Sequence, residues 1–276
     1  MSVSALHPPV PPLTVRGKVT QWHVIRSEWT KLHSLRSTRW SLGVAVLLTI
    51  GFSCLFATIL SSRWGHLSPQ ERANRHPLDV AQAGINVSQL AIIVLGVLVI
   101  TGEYSTGMIR ASMTAVPKRL PVLWAKLVVF AVVTFVLMLP SVVIAFFASQ
   151  AILGRHDILQ ISFSHGAVAR AVIGGAVYLT LIGMFALALG AIARNTAGGI
   201  AAFVGLFFVI PPLLNVLPTS WQNAINPYIP NSVARSIFQL THGSDSLSPG
   251  GGLALFAAYT ATAIAVAAIL LLVRDT

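Results

Sequence analysis

Charge is what this chain has least of. Only 9% of its 276 residues are Asp, Glu, Lys or Arg, where a soluble domain carries about a quarter. That deficit excludes an ordinary water-soluble globular protein. Acidic residues are the scarcest, 7 against 18 Lys and Arg, for a net charge of +11. No basic run with interleaved aromatics stands clear of the apolar segments, so the excess reads as flanking charge that orients a membrane protein and not as a nucleic-acid surface. The single cysteine, Cys54, can form no internal disulfide. With no His or Cys near it, it makes no metal site and reads as a small residue on an apolar face. There is no H-E-x-x-H helix, no G-x-S-x-G elbow and no Cys/His cluster, and the eight histidines lack ligand spacing. No metal site and no catalytic residue is therefore expected. A G-x-x-x-x-G-K-[ST] loop is also missing, so the chain by itself binds no ATP in the P-loop manner.

What is abundant is apolar: 55% of residues are hydrophobic, and the mean hydropathy is +0.79. A helix needs roughly 20 predominantly apolar residues to cross about 30 Å of hydrocarbon. Six windows qualify, at about 41–60, 84–101, 121–148, 171–193, 198–217 and 253–273. The expected fold is an all-α integral membrane protein of six transmembrane helices. Lys126 interrupts the third window near its start, and Pro140 within it predicts a kink. No charged residue or histidine occupies the middle of a span, whereas ion-coupled carriers need such groups there. Twelve Lys and Arg flank one side of the predicted bundle and six the other, which places both termini in the cytoplasm by the positive-inside rule. Small residues at Ala186 and Gly190 in span four, and at Ala201 and Gly205 in span five, favour close helix packing.

The N-terminus divides in two. Residues 1–18, with Pro8, Pro9, Pro11 and Pro12, read as a disordered tail preceding a transmembrane domain at 19–276. Residues 19–36 read as an amphipathic helix. Val19, Trp22, Ile25, Trp29 and Leu32 recur at steps of three or four, while Arg26, Lys31 and Arg36 lie mostly elsewhere on the wheel. Tryptophans with basic residues suit a helix lying in the cytoplasmic headgroup layer.

Two loops carry more than orientation signals. The cytoplasmic stretch Gly102-Glu103-Tyr104-Ser105-Thr106-Gly107-Met108-Ile109-Arg110, continuing to Pro117-Lys118-Arg119, holds a short helix between Ser105 and Val116, stopped before the proline. Met108, Ile109, Met113 and Val116 share a face on it, a docking knob for a partner's groove. Its competing reading is a solvated loop with basic orientation signals. The external stretch from Pro218 to Gly252 begins apolar and aromatic and ends in a flexible Ser/Gly run. From Asn195 to Ala234 the chain has no charge, longer than one crossing needs. The surplus is either a partly re-entrant segment or a hydrophobic loop in the outer headgroups.

These residues resemble the permease subunits of ABC-2-type exporters, particularly the compact six-span permeases common in actinobacteria. The likeness rests on Arg26-Ser27-Glu28-Trp29-Thr30-Lys31-Leu32 before span one, similar to the family's elbow helix. It rests also on the 102–110 stretch with the following Pro117 and Lys126, similar to its first coupling-helix region, and on the long external segment between the last two spans. The resemblance covers about residues 20–276. It implies a permease in a bacterial cell membrane that pairs with a second copy or a paralogue, above separately encoded P-loop ATPase subunits that bind ATP and magnesium. The Tyr104–Val116 stretch would fit a cleft on the ATPase, with Glu103 anchoring the hinge before it. The elbow helix (Trp22, Ile25, Arg26, Glu28, Trp29, Lys31) would frame the same contact. Substrate would pass between spans one, two and five of the paired subunits. An apolar bundle with few charged groups suits amphipathic or hydrophobic cargo such as drugs, peptides or lipids, and hence a resistance role. A non-transporting membrane protein for resistance or assembly explains the missing ionisable residues equally well. It predicts no ATPase partner.

Overall fold

A computed structural model describes residues 20–107, 119–156, 158, 160–240 and 247–273. These residues form helices α1 (Gln21–Ser34), α2 (Arg36–Arg63), α3 (Pro69–Ala73), α4 (Pro77–Ser105), α5 (Arg119–Gly154), α6 (Gly166–Ala193), α7 (Thr196–Val204), α8 (Ile210–Leu214), α9 (Thr219–Ile225), α10 (Pro230–Ser236) and α11 (Pro249–Val273), and no strand occurs among them. Six segments are long and apolar enough to cross a membrane: Arg36–His66, Pro77–Ser105, Leu120–Gly154, Gly166–Ala193, Thr196–Leu214 and Pro249–Val273. Each overlaps one of the six expected windows. Most helices extend beyond their window because a helix propagates through polar residues once its apolar centre has nucleated it.

The long helices pack around α6. It contacts α4, α5, α7 and α11, while α2 lies against α4 and α5. Of its apolar window 78% is buried, against 28% for α2 and α11 and 17% for Thr196–Leu214. Composition explains this central place. Close packing in a membrane depends on small side chains that let backbones approach, and Gly174, Gly175, Ala176, Gly183, Ala186 and Gly190 of α6 are all buried. At Gly96 of α4 a Cβ would lie 2.4 Å from the Gly183 carbonyl oxygen, and at Gly190 one would lie 2.8 Å from Ile100. The expected small pair Ala186 and Gly190 is thus a packing surface. The pair Ala201 and Gly205 is not: Ala201 is exposed, and nothing lies within 4 Å of a Cβ built at Gly205.

The fifth span is one helix with a widened turn. Between α7 and α8, Gly205–Val209 is a π-helical segment in which the Ile210 N–H donates to the Gly205 carbonyl. Pro211 and Pro212 follow, and neither can donate to the carbonyl four residues back. A local π adjustment re-satisfies backbone groups that prolines free in a membrane helix. It places Phe207 parallel to Phe203, ring centroids 4.3 Å apart, with Phe185 of α6 and Phe256 of α11 beside them. Beyond α8, the expected apolar surplus becomes α9, a 3₁₀ turn and α10. Tyr259 of α11 ties it back by donating to the Tyr228 carbonyl at 2.8 Å.

Pro140 lies inside α5, which continues as a single helix on both sides of it. The N-terminal helix α1 is present but turned differently from the expected wheel. Val24, Glu28 and Leu32 face the bundle, whereas Trp22 and Trp29 are exposed. Leu32, expected to share a face with Trp22 and Trp29, is instead buried on the stripe of Val24 and Glu28. A carboxylate, Glu28, occupies the inward face because it has partners waiting.

Candidate functional site

Glu28 and Lys31 are three residues apart on α1, so both project from one face. Glu103 belongs to the last turn of α4, and Lys126 to the second turn of α5. The fold brings all four together. Lys31 Nζ donates to Glu28 Oε1 at 2.7 Å and to Glu103 Oε1 at 3.1 Å, and Lys126 Nζ donates to Glu28 Oε2 at 2.7 Å and to Glu103 Oε1 at 2.9 Å. Side-chain exposure is 4% for Lys126, 5% for Glu28, 9% for Glu103 and 27% for Lys31. Two carboxylates and two ammonium groups leave no net charge, the condition under which charges can be buried at all. Val24 and Ile25 of α1 seal the outer side against Val122 and Ala125 of α5. Gln21 adds a tie by donating to the Pro121 carbonyl at 3.0 Å.

The partners set the protonation of the α1 groups. Burial alone pushes the Glu28 carboxyl up, but Lys126 and then Lys31 more than reverse this and hold it below its ordinary value. Burial pushes the Lys31 ammonium down, and hydrogen bonding and attraction from Glu28 and Glu103 overcome that, leaving it raised. Both groups are fixed in their charged forms at neutral pH.

The quartet sits where α4 ends. Ser105 is the last residue of α4, and from position 108 onward the short helix expected between Ser105 and Val116 lies outside the described residues. The Thr106 N–H returns to the Gly102 carbonyl, the Gly107 N–H returns to that of Tyr104, and Gly107 takes φ +70. This is the left-handed stop that glycine adopts without a Cβ penalty. Met108, Ile109, Met113 and Val116 lie outside the described residues. Glu103 and Lys126 therefore bracket the 108–118 stretch, one on the helix entering it and the other on the helix leaving it.

A second set of contacts fixes the same end of α4 from the other side. The Arg194 guanidinium lies over the Tyr104 ring at 5.7 Å, an attraction between cation and ring face. Arg194 adopts a left-handed backbone at φ 56 and donates through Nη2 to the Leu270 carbonyl of α11 at 3.2 Å. Thr101 and Thr196 share a hydrogen bond of 2.8 Å. Of the other expected site residues on α1, Trp29 stacks on His33 with centroids 5.5 Å apart. Arg26 is exposed, and Ile25 is half-buried.

The opposite end of α4 carries a different arrangement, missing from the sequence reading. Asp79, Gln82, Asn86 and Gln89, at spacings of three, four and three, share a helix face. Together with Arg235, Gln239, Phe208 and Phe238 they line a cavity of about 320 Å³. Gln82 is buried and donates through Nε2 to the Ala171 carbonyl at 3.2 Å and the Phe238 carbonyl at 2.9 Å. Gln89 accepts from the Tyr178 hydroxyl. Asp79, Asn86 and Arg235 are exposed. The only sequence signal was the spacing, and it straddles the boundary of the expected span.

No His, Cys, Asp or Glu grouping suited to a metal occurs among the described residues. No family model matches the chain, and neither does any curated protein.

Proposed function

We propose that the chain is the membrane-spanning permease subunit of an ATP-driven exporter of the ABC-2 type, seated in a bacterial cell membrane with both termini in the cytoplasm and moving an amphipathic or hydrophobic substrate. The observation that carries this reading is the buried quartet. It clamps the amphipathic helix α1 to the two helix ends that bracket the 108–118 stretch. A membrane protein that uses that stretch only for topology needs flanking cations, not a desolvated four-charge joint. A joint of this kind is what a push on the loop requires. Force applied at 108–118 reaches α4, α5 and α1 as one body, and α4 carries it to α6 by close backbone contact. ATP and magnesium belong on a separate P-loop ATPase.

The exposure of the fifth span supports pairing with a second permease, identical or paralogous. Ala201 is open, and Val204, Phe208, Val209 and Leu213 are between 40% and 61% exposed. Small residues open to a neighbour suit a helix interface in a membrane.

The test is affinity purification of the tagged chain from its native membrane in mild detergent, with mass spectrometry of what accompanies it and a vanadate-sensitive ATPase assay. A stoichiometric P-loop ATPase, lost when Met108 and Ile109 are both changed to Asp, is the expected result. A clean permease with no nucleotide-hydrolysing partner, repeated in nanodiscs, overturns the reading in favour of a non-transporting membrane protein.

A further inference from the structure

Beside the quartet lies a cavity of about 370 Å³, enclosed by α1, α2, α4 and α5 and lined in part by Glu28, Glu103 and Lys126. We propose that it is a binding site for the primary-ammonium head of a zwitterionic phospholipid, whose N–H donates to Glu103 Oε2.

The argument begins with one atom. Glu103 Oε1 accepts from both lysines, while Oε2 is buried with no hydrogen-bond partner among the described residues. The side chain is 9% exposed, so bulk water does not solvate it freely. A carboxylate oxygen denied both water and a donor is unfavourable, and each such buried group asks for a partner. The cavity is the space from which one can come.

Three features specify the ligand. The required group is a donor, and the last turns of α1 and α4 reach the cavity through Ser34, Ser105 and Thr106. Helix C-termini carry partial negative charge and favour a cation. The first turns of α2 reach it through Thr38 and Ser41, and no side chain caps that N-terminus. A helix N-terminus of this kind favours an anion such as phosphate. The quartet itself is neutral, so a head bearing one charge of each sign adds none to the buried set. The lining also includes Leu35 and Leu98, exposed at 52% and 38%, which gives acyl chains a surface to follow. Lying at the ends of three spans, the cavity sits at headgroup depth. The inference rests on those helices crossing a membrane and needs no ATPase partner.

The experiment offers the purified full-length chain an equimolar pair of phosphatidylethanolamine and phosphatidylcholine with identical acyl chains, and native mass spectrometry reads which is retained. The two heads match in net charge and phosphate, but the trimethylammonium has no N–H to donate. Retention of the ethanolamine lipid by about tenfold over the choline lipid is expected, the scale of one charge-assisted hydrogen bond. Ser41→Phe and Leu98→Trp fill the cavity from α2 and α4 without touching a charge, and the preference should fall to none in either, while Ser41→Ala keeps it. Equal retention by the unaltered chain overturns the proposal. So does a preference undiminished in both filled variants.

Discussion

The two ends of α4 handle polarity in opposite ways. At its last turn, Glu103 joins three ionised side chains that satisfy one another out of water. At its first turns, Asp79 and Asn86 stand exposed on a cavity they share with Arg235, and no ion pair forms there among the described residues. Burial explains the difference. Desolvated charges must be matched one for one, so the quartet is complete and neutral. Charges that keep their water need no match, and the far cavity is left with groups free to meet something else. One end is built to hold, the other to remain open.

The largest effect is expected at Lys126. Replacing it with Met leaves two buried carboxylates with Lys31 alone between them, and breaking a buried pair in this way costs about 3–5 kcal/mol. The expected outcome is loss of most folded protein, read as a collapse of the monodisperse peak in size exclusion or a large fall in unfolding temperature in one fixed detergent. Changing Glu28 and Lys126 together to Met removes one charge of each sign and should cost less than Lys126→Met by itself. Equal losses would mean that the four groups are solvated in the membrane-embedded protein and that the contrast between the two ends is not one of burial.

Acid unbalances the quartet without mutation, by neutralising a carboxylate in place of a lysine. The Glu28 carboxyl is held below its ordinary 4.5, so its contribution is present above that value and disappears as pH falls through the lower folded value. The Lys31 ammonium is raised above its ordinary 10.5; its contribution is complete below 10.5 and disappears as pH climbs through the higher folded value. Stability should therefore be flat between these limits and decline on both sides. The alkaline decline is expected to be the shallower and the more salt-sensitive, because Lys31 is the most exposed of the four and water and ions screen it. Unfolding temperature against pH at two salt concentrations checks both signs. A midrange optimum, with the Glu28→Gln variant showing the same acid limb as the unaltered chain, would remove Glu28 from the account.

How much of this was legible beforehand follows from the same physics. The six spans were readable because crossing hydrocarbon imposes a length and a composition on a continuous stretch of chain. Helix α1 was readable as a helix, since its 3.6-residue period is local. Its orientation was not. Which stripe of α1 turned inward depended on Lys126, 98 positions from Glu28, and no periodicity reports a partner so distant. Glu103 was singled out through resemblance, as a hinge anchor; its partners came only from the fold. The polar face of Asp79, Gln82, Asn86 and Gln89 went unread for a different reason. Uncharged amides announce no particular chemistry by their type, and half the stripe precedes the apolar window. The π-helical turn followed from Pro211 and Pro212 by a rule about donors, but only once the helix was known to run through them.

The smallest effects are expected at the far end of α4. Gln82 and Asn86 are one helical turn apart on α4 and line the same cavity, yet they should respond differently. Gln82 is buried, and its Nε2 satisfies the carbonyls of Ala171 and Phe238, which join α6 to the segment after α10. Gln82→Ala removes both bonds, leaves the Phe238 carbonyl without this donor, and should cost about 1–3 kcal/mol. Asn86 is exposed, and Asn86→Ala should change stability by no more than about 0.5 kcal/mol. Unfolding of both variants beside the unaltered chain in one detergent measures the gap. A ratio near one would place the two amides in the same environment, and the far end would then be as closed as the quartet. The expected wide gap leaves Asn86 a polar group on a membrane helix with no structural duty. Exposure is what separates the two, since an amide that keeps its water orphans no carbonyl when it is removed.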